Sequence, residues 1–218
     1  MSFVESAPAL RSAEPLLSCR PEGGTPHCSL RLHRHGDAAR TETERFIAGV
    51  YRQRFGARLS RFMPVLAASS VDGHLCAAAG YRSAVEPLFL ERYLPQPIEQ
   101  ALAAVVGRRV TREQIVEVGQ FASRCAGEGR RLMPALARHL VDAGFRWAVI
   151  TATSELRRLF SRQGLCALPL AAAQRRCVGD EAPSWGSYYD HAPMVLTGEL
   201  ALNLARLEGR RSPRPAMQ

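Results

Sequence analysis

The chain has 218 residues, 46 % of them apolar, and a formal net charge of +9. That length and apolar share predict one ordinary globular domain with a core, and exclude a fibre or a wholly disordered chain. No apolar run approaches the roughly 20 residues that span a bilayer, and the N-terminus lacks the charged start and unbroken apolar core of a secretory signal, so a cytoplasmic protein is expected.

All 29 basic side chains are Arg, scattered along the chain in short groups rather than gathered into one arm. No aromatic ladder accompanies them, so nucleic acid is not an expected partner. Phosphorylated cofactors, acidic carrier proteins and anionic membrane surfaces suit the charge. The six cysteines include no CxxC pair. Neither a zinc site nor a disulfide framework is therefore expected, and no metal is assigned.

Residues 1–27, rich in Ser, Pro, Glu and Gly, read as a loose arm. "CSLRLHRH" (28–35) alternates well enough for a strand. "TETERFIAGVYRQRFG" (41–56) predicts a helix with a Thr41/Glu44 capping box, an apolar stripe and Gly56 just past its end. "FMPVLAASS" (62–70) and "LCAAAGYRSA" (75–84) flank Asp72-Gly73, the signature of a tight hairpin. "PQPIEQALAAVVGRR" (95–109) predicts a helix stopped at Gly107, and "QIVEVGQFAS" (114–123) a central buried strand.

A helix over 130–143, a buried strand over 145–153 and a helix over 154–164 capped by Ser154 follow. Then come a short strand near "LCALPLA" and the aromatic stretch "WGSYYDHAPMVL" (185–196), which reads as a late strand or a strand-entry loop. A polar tail is expected over 208–218. The alternation predicts an α/β (α+β) fold over 28–207, a mixed sheet covered by helices.

The informative stretch is Arg124-Cys125-Ala126-Gly127-Glu128-Gly129-Arg130-Arg131, set between the central strand and a helix. At such a junction several backbone N–H groups lack carbonyl partners, and the helix end carries partial positive charge. An anion satisfies both. Glycines let the backbone approach it, and the arginines add charge. The stretch is neither a Walker A loop nor a dinucleotide fingerprint.

R-x-x-G-x-G, at Arg124, Gly127 and Gly129, resembles the pyrophosphate loop of the GNAT acyltransferase superfamily. That resemblance implies a mostly antiparallel GNAT sheet and an acyl-thioester donor. Coenzyme A or phosphopantetheine would lie against Phe121, Ala122, Ser123, Arg124, Ala126, Gly127, Gly129, Arg130 and Arg131. One departure is Pro134, early in the following helix, which predicts a later helix start than in the family. "IVEVGQFASR", "GFRWAVITATSELRRLFSRQGL" and "WGSYYDHAP" together resemble the bacterial thermostable hemolysin family over about 28–200, and "VEVGQFASR" is also similar to acyl-homoserine-lactone synthases.

The implied reaction is acyl transfer from acyl-CoA or an acyl carrier protein to a small amine. Glu117, in an apolar strand, is a candidate base or acceptor contact, or else a carboxylate paired with one of the arginines. Tyr188 or Tyr189 would protonate the leaving thiolate, with only one reaching the site if the segment is extended. His191 is a further candidate base or a hydrogen-bonded loop residue. The family's name suggests membrane activity instead, for which "VEPLFLERYLP" (85–95) is the one stretch resembling a contact segment, although it reads better as the wall of an acyl-chain pocket or as core. A third reading is a non-catalytic acyl-thioester-binding module.

Overall fold

The computed structural model describes residues 29–124 and 127–209. The expected N-terminal arm, Cys125 and Ala126, and residues 210–218 of the expected tail lie outside this range. Strand β1 (Ser29–His33) leads to helix α1 (Arg40–Phe55), then to β2 (Val65–Val71) and β3 (His74–Ser83). Asp72 and Gly73, at φ 51° and 81°, close the β2–β3 hairpin with two left-handed residues, as its register twist requires. After a 3-10 segment (Phe89–Tyr93) come α2 (Ile98–Val106), β4 (Ile115–Ser123), α3 (Glu128–Asp142), β5 (Trp147–Ala152) and α4 (Ser154–Arg162). The chain finishes with β6 (Leu168–Ala172), two further 3-10 segments (Arg175–Trp185 and Tyr188–His191), β7 (Met194–Glu199) and α5 (Leu200–Gly209).

The strands form one seven-stranded sheet in the order β1-β2-β3-β4-β5-β7-β6, so β4 is central, as its apolar run predicts. Every neighbouring pair is antiparallel except β4–β5. Helices α3 and α5 cover one face, over Val116, Val118, Ala79 and Tyr81. The other face carries α1 over Leu66, Ala78 and Ala122, and α2 with the Phe89–Tyr93 segment over Ile115 and Val149.

Several local expectations change. Helix α1 starts at Arg40 with no side-chain cap, so Thr41 lies inside it rather than in a capping box. The cause is Arg40 itself: its buried guanidinium donates to the carbonyls of Met63, Pro64 and His33 and pairs with Glu44 at 2.8 Å, which draws it into the first turn. Helix α3 starts at Glu128 despite Pro134, because Gly127 at φ 103° turns the chain directly into the helix. Pro134 removes one interior N–H and is accommodated by burial. In α4 the cap is Thr153, whose Oγ1 accepts from Leu156 N–H at 3.4 Å, not Ser154.

Residues 185–191 are turns and 3-10 segments and strand β7 begins only at Met194, so of the two readings of this stretch the strand-entry loop is the one that holds up to Pro193. Helix α5 runs through residues 208 and 209, the start of the expected tail, and places Leu200, Leu204 and Leu207 at helical spacing in the core with α3.

Candidate active site

Strands β4 and β5 pair from Ile115↔Trp147 to Val118↔Ile150. Beyond Val118 they separate while β4 continues to Ser123. The separation coincides with a bulge in β4: Ala78 faces Ala122 but Gly80 faces Gly119, leaving one extra residue on β4. Gln120 adopts φ 52° there. Its side chain holds the bend, accepting from Met63 N–H at 3.0 Å and donating to the Arg61 carbonyl at 2.8 Å.

A cleft of about 460 Å³ fills the gap between the parted strands. Gly127, Gly129 and Arg130 from the start of α3 line it, together with Phe121, Ser123 and Arg124 from the end of β4. A Cβ at Gly129 would stand 3.0 Å from the Phe121 ring, so glycine there lets helix and strand close up. Arg124 lies over the Phe46 ring at 5.0 Å, and Arg131 pairs with Glu128 at 3.4 Å. Sequence patterning does not predict the opposite wall, where α1 contributes Tyr51 and Arg54 and α4 contributes Leu156 and Arg162. Arg54 is paired there with Glu155.

A second cavity, about 360 Å³, adjoins the first. Glu117 forms part of its lining and is 3 % exposed. Its Oε2 accepts from Phe89 N–H at 3.0 Å and its Oε1 from Leu90 N–H at 3.1 Å, which fixes the 3-10 segment against β4. Arg82 Nε lies 3.9 Å from Oε2. Burial outweighs these partners and raises the Glu117 carboxyl above the usual carboxylate range. The segment 85–95, the one candidate for a membrane contact, is thus folded inward, in keeping with its reading as core or pocket wall. Leu88, Leu90 and Tyr93 are buried, and Val85 is the exposed large apolar residue in it.

Gly119, Gln120, Thr151, Tyr51 and Tyr188 line both cavities. Tyr188 is buried, donates to the Thr151 carbonyl at 3.3 Å, and is held un-ionised because burial raises its pKa far above the ordinary tyrosine value. Tyr189 instead shares a 2.7 Å hydrogen bond with Tyr93, and His191 stacks edge-on against Phe55 with Nδ1 4.0 Å from Glu155. Neither lines either cavity. The structure therefore brings together Glu117, Tyr188, Phe121, Ser123, Arg124, Gly127, Gly129 and Arg130. It leaves Tyr189 and His191 behind that surface, with Arg131 at the helix side and Ala122 under α1.

"WGSYYDHAP" acquires a physical meaning here. Gly186, at φ 53°, sits so close that a Cβ would stand 2.0 Å from the Phe55 carbonyl oxygen. Ser187 N–H donates to that same oxygen at 2.8 Å, and Arg58 N–H to Ser184 O at 2.7 Å. These contacts dock the turn on the end of α1 and carry Tyr188 into the gap. Among the described residues no group of three or more His, Cys, Asp or Glu is placed to hold a metal ion, and no helix is long and apolar enough to cross a membrane.

A central sheet parted beside a glycine turn that opens a helix defines the GNAT-like fold. Residues 33–204 match the thermostable hemolysin family, and the chain belongs to it. Among solved structures, the AHL synthase LasI superposes with a TM-score of 0.60 at 16 % identity, covering 85 % of this chain and 96 % of its own. BjaI, a CoA-dependent acyl-homoserine lactone synthase solved with SAM and isopentyl-CoA, gives 0.58 at 13 %, covering 84 % and 89 %. FeeM, an N-acyl amino acid synthase from uncultured soil microbes, gives 0.56 at 14 %, covering 82 % and 93 %. No curated protein matches in sequence. At these identities the likeness establishes a shared fold.

Proposed function

We propose that the protein is an acyltransferase that moves an acyl group from a thioester of coenzyme A, or of carrier-protein phosphopantetheine, to the amine of a small acceptor. The observation that carries this reading is the pair of cavities joined at Tyr188 and Thr151. The strand-gap cleft offers α3 N–H groups and the Arg124 and Arg130 guanidiniums to a diphosphate or phosphate. The other cavity offers a carboxylate to an amine. LasI, BjaI and FeeM, whose names describe acyl-transferring synthases, share the fold and support the same class. A small apolar pocket between α3, α4 and β5 shares Phe121 and Ile150 with the donor cleft and suits the acyl chain.

The ammonium form of the acceptor loses one proton to become nucleophilic. Nitrogen then attacks the thioester carbonyl carbon, the C–N bond forms and the C–S bond breaks. Nitrogen loses a second proton as the intermediate collapses. One proton ends on sulfur and one in solvent. Glu117 receives or orients the amine N–H: each oxygen has spent one lone pair on Phe89 or Leu90 and keeps another, and the raised pKa suits proton transfer. Tyr188 swings its one hydroxyl hydrogen from the Thr151 carbonyl to the sulfur as charge develops. Tyr189 and His191 brace this arrangement through Tyr93 and Phe55.

Thermal denaturation of the purified chain with CoA, acyl-CoAs of increasing length and acyl carrier protein thioesters tests the reading. A bound donor at 100 times its Kd adds about 2.7 kcal/mol, and the shift should vanish in Gly127→Trp. Stabilisation by none of these donors rejects it. Tyr188→Phe should keep donor binding and lower turnover about tenfold.

A further inference from the structure

We infer that the acceptor is an amine that also carries a carboxylate, an amino-acid-like compound held by Arg82 and Arg92. This rests on the acyl-transfer reading of the same cavity. Four arginines, Arg58, Arg61, Arg82 and Arg92, line that cavity against two carboxylates, Glu117 and Glu181. The pairing is uneven as well as outnumbered. Arg61 and Arg92 share Glu181, at 4.0 and 3.6 Å. Glu117 spends an oxygen on each of two backbone N–H groups and stays 3.9 Å from Arg82.

Arg82 is fixed by donation to the Pro87 carbonyl at 3.1 Å, yet its buried Nε–H has no hydrogen-bond partner among the described residues. Arg92 lies over the Phe89 ring, its guanidinium carbon 4.0 Å from the ring centre. A wall of positioned, under-compensated guanidiniums beside one buried carboxylate is complementary to a ligand bearing both charges. The ammonium goes toward Glu117 and the carboxylate toward the forks of Arg82 and Arg92. An amine without a carboxylate would enter a cavity that repels it.

The test uses the full chain with octanoyl-CoA as donor, following free CoA thiol. Acceptors are the common L-amino acids and, at equal concentration, the matching amines that lack the carboxylate. At least one amino acid should exceed its decarboxylated partner at least tenfold in kcat/KM. Arg82→Gln should raise the amino acid's KM more than it lowers kcat and shrink the gap between acid and amine toward one. Arg82→Lys, with charge but no fork, should fall between. Octanoyl-CoA stabilisation should persist in both variants, which reports their folding.

Equal use of the decarboxylated amines, an unmoved gap in Arg82→Gln, or acylation of neither set while octanoyl-CoA still binds would overturn the inference. If octanoyl-CoA fails to bind the wild-type chain, the same comparison is run with the CoA or carrier-protein thioester that does bind, and failure of every such donor would instead strike the acyl-transfer reading beneath it.

Discussion

The two cavities are built in different ways. The donor side owes its signature to one short stretch, the end of β4 running through Gly127 and Gly129 into α3, where backbone geometry does the work. The acceptor side is stitched from segments remote in sequence. Glu117 reaches 27 and 28 residues back to Leu90 and Phe89, Gln120 reaches 57 back to Met63, and Ser187 reaches 132 back to Phe55. A contiguous site is altered by its own residues alone. A stitched one fails wherever a stitch is cut, so substitutions there should disturb folding and turnover together.

Cutting the longest stitch should have the largest effect. Gly186→Ala must place a Cβ against the Phe55 carbonyl oxygen in a backbone region unfavourable to L-residues, and should cost about 3 kcal/mol or more in urea denaturation. A loss below about 1 kcal/mol would mean that the turn is loosely docked. Next comes Glu117→Gln. Its amide keeps one acceptor for Phe89 or Leu90 and removes a buried charge, so the fold should survive with a loss under about 2 kcal/mol. Turnover should fall about a hundredfold. Wild-type turnover would reduce Glu117 to an anchor for the segment beneath it.

The smallest effect is on the acid limb of stability. Arg112, through its hydrogen bonds, holds the Glu91 carboxyl down at about 2 from its ordinary 4.5, with Leu88 and Ile98 N–H groups assisting. A carboxyl lowered on folding stabilises above its unfolded value, so this contribution drains away as pH falls from about 4.5 toward 2. Glu91→Gln should flatten urea midpoints across that range, and unchanged pH dependence would show that the pairing contributes nothing. Glu117, raised on folding, works in the opposite sense and in a different range: its contribution is lost as pH rises above about 4.5, and Glu117→Gln should remove that decline.

This asymmetry also decides what was legible in the sequence. Helices α1 to α4, the Asp72-Gly73 hairpin, the central strand and the glycine turn rest on local periodicity and on residues adjacent in the chain, and the patterning carries them. Helix α5 repeats Leu200, Leu204 and Leu207 at the same spacing, a usable signal overshadowed by the polar tail beyond it. The aromatic stretch 185–196 leaves a strand and a strand-entry loop equally open, because nothing local reveals that Gly186 must turn against α1. Glu117 stands out as a carboxylate in an apolar strand. Its partners do not, since Phe89 and Leu90 use only their backbone N–H groups, which any residue type supplies. Arg82 and Arg92 are two arginines among 29, distinguishable only after folding gathers them around one cavity.

The extra residue in β4 works on the sheet much as an inserted letter works on a reading frame. Before it, Ile115 and Glu117 face the α1/α2 layer, while Val116 and Val118 face α3. After it the parity is exchanged: Phe121 lies with α3, and Ala122, 1 % exposed, lies under α1. Deleting Gln120 would leave Gly119, Phe121 and Ala122 to follow in plain alternation opposite β3, so Phe121 would stay with α3 and Ala122 under α1. What would go is the bend itself, with the bonds that the Gln120 side chain makes to Met63 and Arg61. One residue more than alternation needs, rather than any single side chain, is what lets this strand turn aside from β5 while both layers keep their faces.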